Sequence, residues 1–258
     1  MSLEQTLNFV PAFVLVFFRV AGMCLAAPLF GSSRIPARIK LMFALVLALG
    51  VMPSAGSPGM LPESTWKLVL GIGGEMVFGL AIGTALNFIF VATHWAGEMI
   101  GQQMGLGMGQ VYDPQFGQSG SVVSDMYFLL TLVLFMAVGG HYAFLRGVAA
   151  TFESLPLLSV GIDVNLLELV LGLLKGATKL ALQLSAPVLL VSLITDVVLG
   201  FLSKTVPQLN VMTAGLSIRA MAGMVVLMLG MTLSSEVIQT SFVRSIKELS
   251  SAWKVVVL

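Results

Sequence analysis

The stretch MYFLLTLVLFMAVGGHYAFLRGVAA, residues 126–150, decides the fold class, because it carries no charged side chain before Arg146. A bilayer-spanning helix needs about 20 largely apolar residues, whereas a lipid-facing barrel strand needs about 10 with strict alternation. This run is long and does not alternate, so it reads as helix at membrane depth. Runs of the same kind lie at 5–30, interrupted by Arg19, and at 39–53, ending at Pro53 before the turn-rich SAGSPG of 54–59. Others lie at 68–93, carrying Glu75, at 166–203, containing Lys175, Lys179, Asp196 and Pro187, and at 217–235. The 166–203 region is too long for one straight span and its first half is too polar for two good ones. A helix kinked near Pro187 and a hairpin are both open. The expected fold class is all-α, a polytopic membrane-type protein of long kinked helices and hairpins.

Composition agrees. Of 258 residues 57% are apolar and 10% charged, against about 25% charged in soluble domains. Thirteen Lys and Arg with twelve Asp and Glu cannot cover the surface of a water-soluble globule of this size, so much of the surface meets lipid or protein. The net charge of +1 carries no polyanion-binding signal, which sets nucleic acid aside. A lone Cys24 excludes a disulfide framework and a cysteine-built metal site. The N-terminal run is read as mature structure, since Glu4 precedes it, no basic n-region does, and Arg19 interrupts it. Under six alternating spans the basic cluster Arg34, Arg38, Lys40 and the basic tail Arg244, Lys247, Lys254 fall on opposite sides. Either one segment does not cross, or the chain is not a conventional lipid-bathed bundle.

A charge at membrane depth costs at least about 2.5 kcal/mol on insertion scales, which singles out Arg19, Glu75, Glu98, Asp125 and Asp196. Pairing across a helix or subunit interface is the expected role, and a proton relay is the alternative. His94 stands one turn before Glu98, but HWAGE is not HExxH, and His141 has no ligand partner nearby in sequence. No GxSxG or evident carboxylate pair occurs, so neither an enzyme nor a cofactor is expected.

The most unusual stretch is GEMIGQQMGLGMGQVYDPQFGQSG, residues 97–120. Gly97, Gly101, Gly105 and Gly109 fall at every fourth position with Gly107 added, and Met99, Met104 and Met108 lie between them. No Lys-Ser/Thr follows GLGMG, which rejects a phosphate loop. As a helix, the glycine stripe admits another backbone closely. Each glycine costs about 1 kcal/mol relative to alanine in a helix, however, and Asp113-Pro114 is a turn signal, so a loop is expected over 105–120. Irregular backbone at membrane depth is tolerated where it is buried in protein or lines a cavity. That points to a pore or a plug, with Gly105, Leu106, Gly107, Met108, Gly109, Tyr112, Asp113, Pro114 and Phe116 as the candidate gating residues.

Four strings, FRVAGMCLAAPLFGSSRIPARIK (18–40), GQQMGLGMGQVYDPQ (101–115), GGHYAFLRGV (139–148) and KTVPQLNVMTAGLSIRAMAG (204–223), resemble in order and spacing the FliR family of bacterial flagellar biosynthesis proteins. Relatives in virulence type III secretion share the pattern more loosely. PQLNV is the most specific piece, which makes Pro207, Gln208, Asn210 and, in GGHY, His141 the family-motif positions. Met212 stands where an aromatic is common and Ser217 where proline is common. The resemblance implies a subunit of a hetero-oligomeric export gate, assembled with FliP-like and FliQ-like subunits and contacted by FlhB-like and FlhA-like components. Such a gate passes unfolded flagellar proteins across the bacterial inner membrane at the flagellar basal body. It also implies a FliP-like part, 1–165, and a FliQ-like hairpin part with the C-terminal tail, 166–258, in which SAPVLLVSLITDVVLGF (185–201) is the first hairpin helix. In that family a loop plugs the closed channel, and 105–120 occupies its place. The competing reading, a proton-coupled transporter of a small solute, would want an inverted repeat, and no convincing internal repeat is present.

Overall fold

A computed structural model describes residues 3–28, 36–55, 64–106, 121–158, 164–205 and 211–255. These form seven α-helices and one short 3₁₀ turn, with no β-strand among the described residues. In chain order they are α1 (Leu3–Ala26), α2 (Ala37–Val51), the 3₁₀ turn Met52–Ser54, and α3 (Thr65–Gln103). Then follow α4 (Val122–Ala137), α5 (Gly140–Ser154), α6 (Val164–Thr205) and α7 (Val211–Val255). The all-α expectation holds.

The structure divides one expected run and decides between the two readings open for another. Residues 126–150 are not one helix: α4 ends at Ala137, and Gly139, at φ 76°, starts α5 from a left-handed backbone that glycine adopts without strain. Residues 166–203 are not a hairpin: α6 continues past Pro187 as a single helix of 42 residues. The run 39–53 yields α2, whose 15 residues reach about 22 Å, short of a bilayer's hydrocarbon thickness. Among the described residues four helices are long and apolar enough to cross a membrane, through Phe9–Ala26, Trp66–Ala85, Leu171–Thr205 and Ala214–Ser245. The last two exceed what a bilayer requires, since 35 and 32 residues rise about 50 Å.

The chain forms two compact units. The first comprises Met1–Phe88, Gly139–Leu174 and Val243–Leu258; the second comprises Ile89–Val138 and Lys175–Phe242. In the first, Leu15, Val16, Val20 and Met23 of α1 bury against Phe78 and Ile82 of α3 and Phe144, Val148 and Phe152 of α5. Apolar side chains alone do not hold α1 to α3, because at membrane depth lipid tails are as apolar as leucine and close backbone approach takes over. A Cβ placed on Gly79 would run into the carbonyl of Arg19, and one on Gly22 or Gly83 would come within 2.5 Å of the carbonyls of Met76 or Met23. The second unit is centred on Phe90 of α3, whose ring meets Phe128 and Phe135 of α4 and Phe242 of α7 at centroid distances of 5.6–5.8 Å. Tilted and edge-on aromatic contacts of this kind add about 0.5–1.5 kcal/mol each beyond area burial.

Because backbone rather than a flexible side chain meets position 79, Gly79→Ala is expected to destabilise by about 1–3 kcal/mol. Gly73→Ala, whose new methyl meets nothing, is expected to be neutral or stabilising by up to about 1 kcal/mol. Thermal unfolding of the two variants in the same detergent reads the difference.

Candidate functional site

Arg19 is fully buried in the first unit, and Glu75 beside it is 1% exposed. Arg19 Nε donates to Glu75 Oε2 across the α1–α3 contact. Its Nη1 donates to the carbonyls of Leu155, at 2.9 Å, and Thr151, at 3.3 Å. Thr151 stands in the last turn of α5, its carbonyl already accepting the Leu155 N–H at 3.0 Å, and Leu155 is the C-cap, so the guanidinium caps the negative dipole end of the helix. Phe152 and Phe78 lie beneath the charge at 4.7 and 5.2 Å. The other carboxylate oxygen of Glu75, Oε1, accepts the N–H of Leu158 at 2.9 Å, where the chain turns after α5 at a φ of 66°. One buried ion pair thus fixes three segments, and of the alternatives the sequence left open for these two charges, the pairing is between helices of the same chain.

The remaining charges take different surroundings. Asp196 pairs with Arg219 at 2.5 Å, joining α6 to α7, with both side chains one third exposed. Asp125 is exposed in the first turn of α4, where a carboxylate is favoured by the positive dipole end. His141 is half-buried with its ring against Tyr142, at 4.1 Å. Among the described residues no three His, Cys, Asp or Glu gather as a metal site.

Glu98 is placed where the Gly/Met stretch returns to helix. Its Oε1 accepts the backbone N–H of Ser121 and the hydroxyl of Ser124, each at 2.9 Å. Ser121 is the N-cap of α4, its own hydroxyl accepting the Val123 N–H at 3.2 Å, so Glu98 reaches from α3 to satisfy an N-terminal donor of another helix. Gly97 and Gly101 admit this contact. A Cβ on Gly97 would run into Ser124 Cα, and one on Gly101 into the Ser121 hydroxyl.

On its other side the stretch leaves α3 by a defined stop. The Leu106 N–H donates to the Gly101 carbonyl and the Gly105 N–H to the Gln102 carbonyl, both at 3.0 Å, with Gly105 at φ 75°. That is a Schellman termination with glycine in the left-handed position. The glycine stripe therefore divides, Gly97 and Gly101 acting as helical packing positions and Gly105 as the exit. Of the candidate gating residues Gly105 and Leu106 are described; Gly107, Met108, Gly109, Tyr112, Asp113, Pro114 and Phe116 lie outside the described residues, as do Pro207, Gln208 and Asn210. What the sequence did not single out are the partners: Arg219, Ser121, Ser124, and the carbonyls of Thr151 and Leu155.

Removing the cation from the first site leaves a buried carboxylate without its counter-charge. Arg19→Met is expected to lose about 3–5 kcal/mol of stability, with Arg19→Met/Glu75→Met recovering much of it. Thermal unfolding in detergent checks this, and equal loss in the single and double variants would contradict the pairing.

The family model described as "Bacterial export proteins, family 1" matches residues 10–245. The flagellar biosynthetic protein FliR of Bacillus subtilis (strain 168) is 27% identical over 244 residues, covering 93% of each chain. That of Aquifex aeolicus (strain VF5) is 28% identical over 226 residues, covering 88% of this chain and 87% of the relative. The surface presentation of antigens protein SpaR of Shigella sonnei is 28% identical over 211 residues, covering 80% and 79%.

Proposed function

Because this chain belongs to the bacterial export proteins, family 1, we propose that it is a subunit of the flagellar type III protein export gate, helping to form and seal the channel for unfolded flagellar proteins. It is a membrane-embedded component of that apparatus, with four helices suited to a bilayer. The finer reading places it in the bacterial inner membrane at the flagellar basal body. There it contacts FliP-like, FliQ-like, FlhB-like and FlhA-like components and lipid, and does no catalysis. Residues 1–165 are its FliP-like part and 166–258 its FliQ-like part. The relatives give no support to a small-solute transporter, since those named are flagellar biosynthetic proteins and a surface presentation of antigens protein.

One observation carries the sealing role. The Gly/Met stretch leaves α3 at Gly105 through a fixed termination and re-enters helix at Ser121 against Glu98, so both ends are tied to α3. A segment anchored at both ends of its span closes a defined place, and loop closure between tethered ends costs far less entropy than ordering a free strand. Its methionines and glycines are apolar and unbranched, able to repack around different passing chains. Of the charges, Asp125 is proposed as a subunit-interface group, because it lies on one face of α4 with the exposed apolar side chains Val122, Leu129, Val133 and Met136. Asp196 and Glu98 are read as contributing to interfaces through the faces on which they sit.

Deleting 106–116 is expected to raise ion leakage in cells that assemble the complex, measured as loss of membrane potential or growth arrest on added cation. Unchanged leakage together with unchanged export of flagellar proteins would overturn the sealing role.

A further inference from the structure

The root of the Gly/Met segment is held by α7, and the geometry points to Met104 as its positioning residue, seated in a slot that α7 provides at Gly223. Met104 is 1% exposed although it directly follows Gln103, the last residue of α3. A Cβ on Gly223 would stand 2.6 Å from Met104 Cγ and 2.8 Å from its Sδ, so this thioether occupies the space that a side chain at 223 would take. The neighbouring exit residue has a second contact with the same helix. A Cβ on Gly105 would stand 2.6 Å from Cδ2 of Leu216.

Leu216 and Gly223 are seven residues apart and so lie on one face of α7, two turns from each other. Arg219 is on that face between them, and its pair with Asp196 ties the same stretch of α7 to α6. The point at which the chain departs from α3 is therefore set by where α7 stands, and the position of α7 is set by the α6 ion pair. A displacement of α7 by a fraction of a turn removes the slot and frees the segment's root, while Glu98 keeps the far end in place.

This rests on the reading that 106–116 seals a resting pore. It adds the claim that α7 sets the seal through Met104, which is a positioning role and not a contact with passing protein. Four chains are compared in cells that assemble the complex, with ion leakage read against recovery of the complex in mild detergent: native, the 106–116 deletion, Gly223→Val, and Gly223→Val/Met104→Ala. Gly230→Ala, whose methyl meets nothing, is the control for helix substitution as such.

Gly223→Val is expected to leak at least half as much as the deletion at native recovery, and the added Met104→Ala to restore the seal, because the removed side chain makes room for the valine. Structural damage alone would lower recovery and would not be repaired by shortening a second side chain. If the deletion leaks and Gly223→Val does not, the positioning role is overturned while the seal stands. If the deletion itself does not leak, the sealing reading fails first. Should Gly223→Val prevent recovery, Met104→Ala alone, which leaves α7 unchanged, takes its place: leakage supports the role, and a tight membrane overturns it.

Discussion

Arg19 can hold a positive charge in full burial because Glu75, two helix-end carbonyls and two aromatic rings surround it. The meeting of α1, α3 and the end of α5 is arranged around that requirement. Three segments distant in sequence must meet for it to be satisfied: α1 brings the guanidinium, α3 the carboxylate, and the end of α5 the carbonyls and the turn at Leu158. The apolar packing between α1 and α3 is then permitted by glycine, since Gly22, Gly79 and Gly83 leave no Cβ between backbones. A charge that would be costly to bury alone acts here as a register mark for helices whose apolar faces have many alternative fits.

The second unit meets the same constraint with a carboxylate. Glu98 serves the N-terminal donors of α4 rather than a cation, and the two glycines beside it allow α4 to come near enough. This gives the Gly/Met segment two fixed ends, the termination at Gly105 and the cap at Ser121.

The fold class was legible in the sequence because the long non-alternating apolar runs leave only helices possible at membrane depth. The interruption of 126–150 was less so: Gly139-Gly140 is visible, but a glycine pair inside a helix and a glycine that ends one look alike without φ. Pro187 left a kinked helix and a hairpin both open, and the single helix running through it excludes only the hairpin. The unusual charges were identifiable by their expense at that depth, whereas their partners were not. Arg219 lies inside a motif string and an apolar run without a visible partner, and backbone carbonyls have no letter in a sequence at all. The glycines of the Gly/Met stretch showed both of their uses in advance, and only the hydrogen bonds at Gly101 and Gly105 divide the helix from the exit.

Under the proposed function, the scarce charge and the large apolar surface serve assembly with other subunits as much as contact with lipid. Purification from native membranes in mild detergent tests it most directly, by following which proteins travel with the full chain on sizing. Co-elution with FliP-like and FliQ-like subunits as one species is the expected result. A stable monomer, free of both and binding a small solute, would contradict the account.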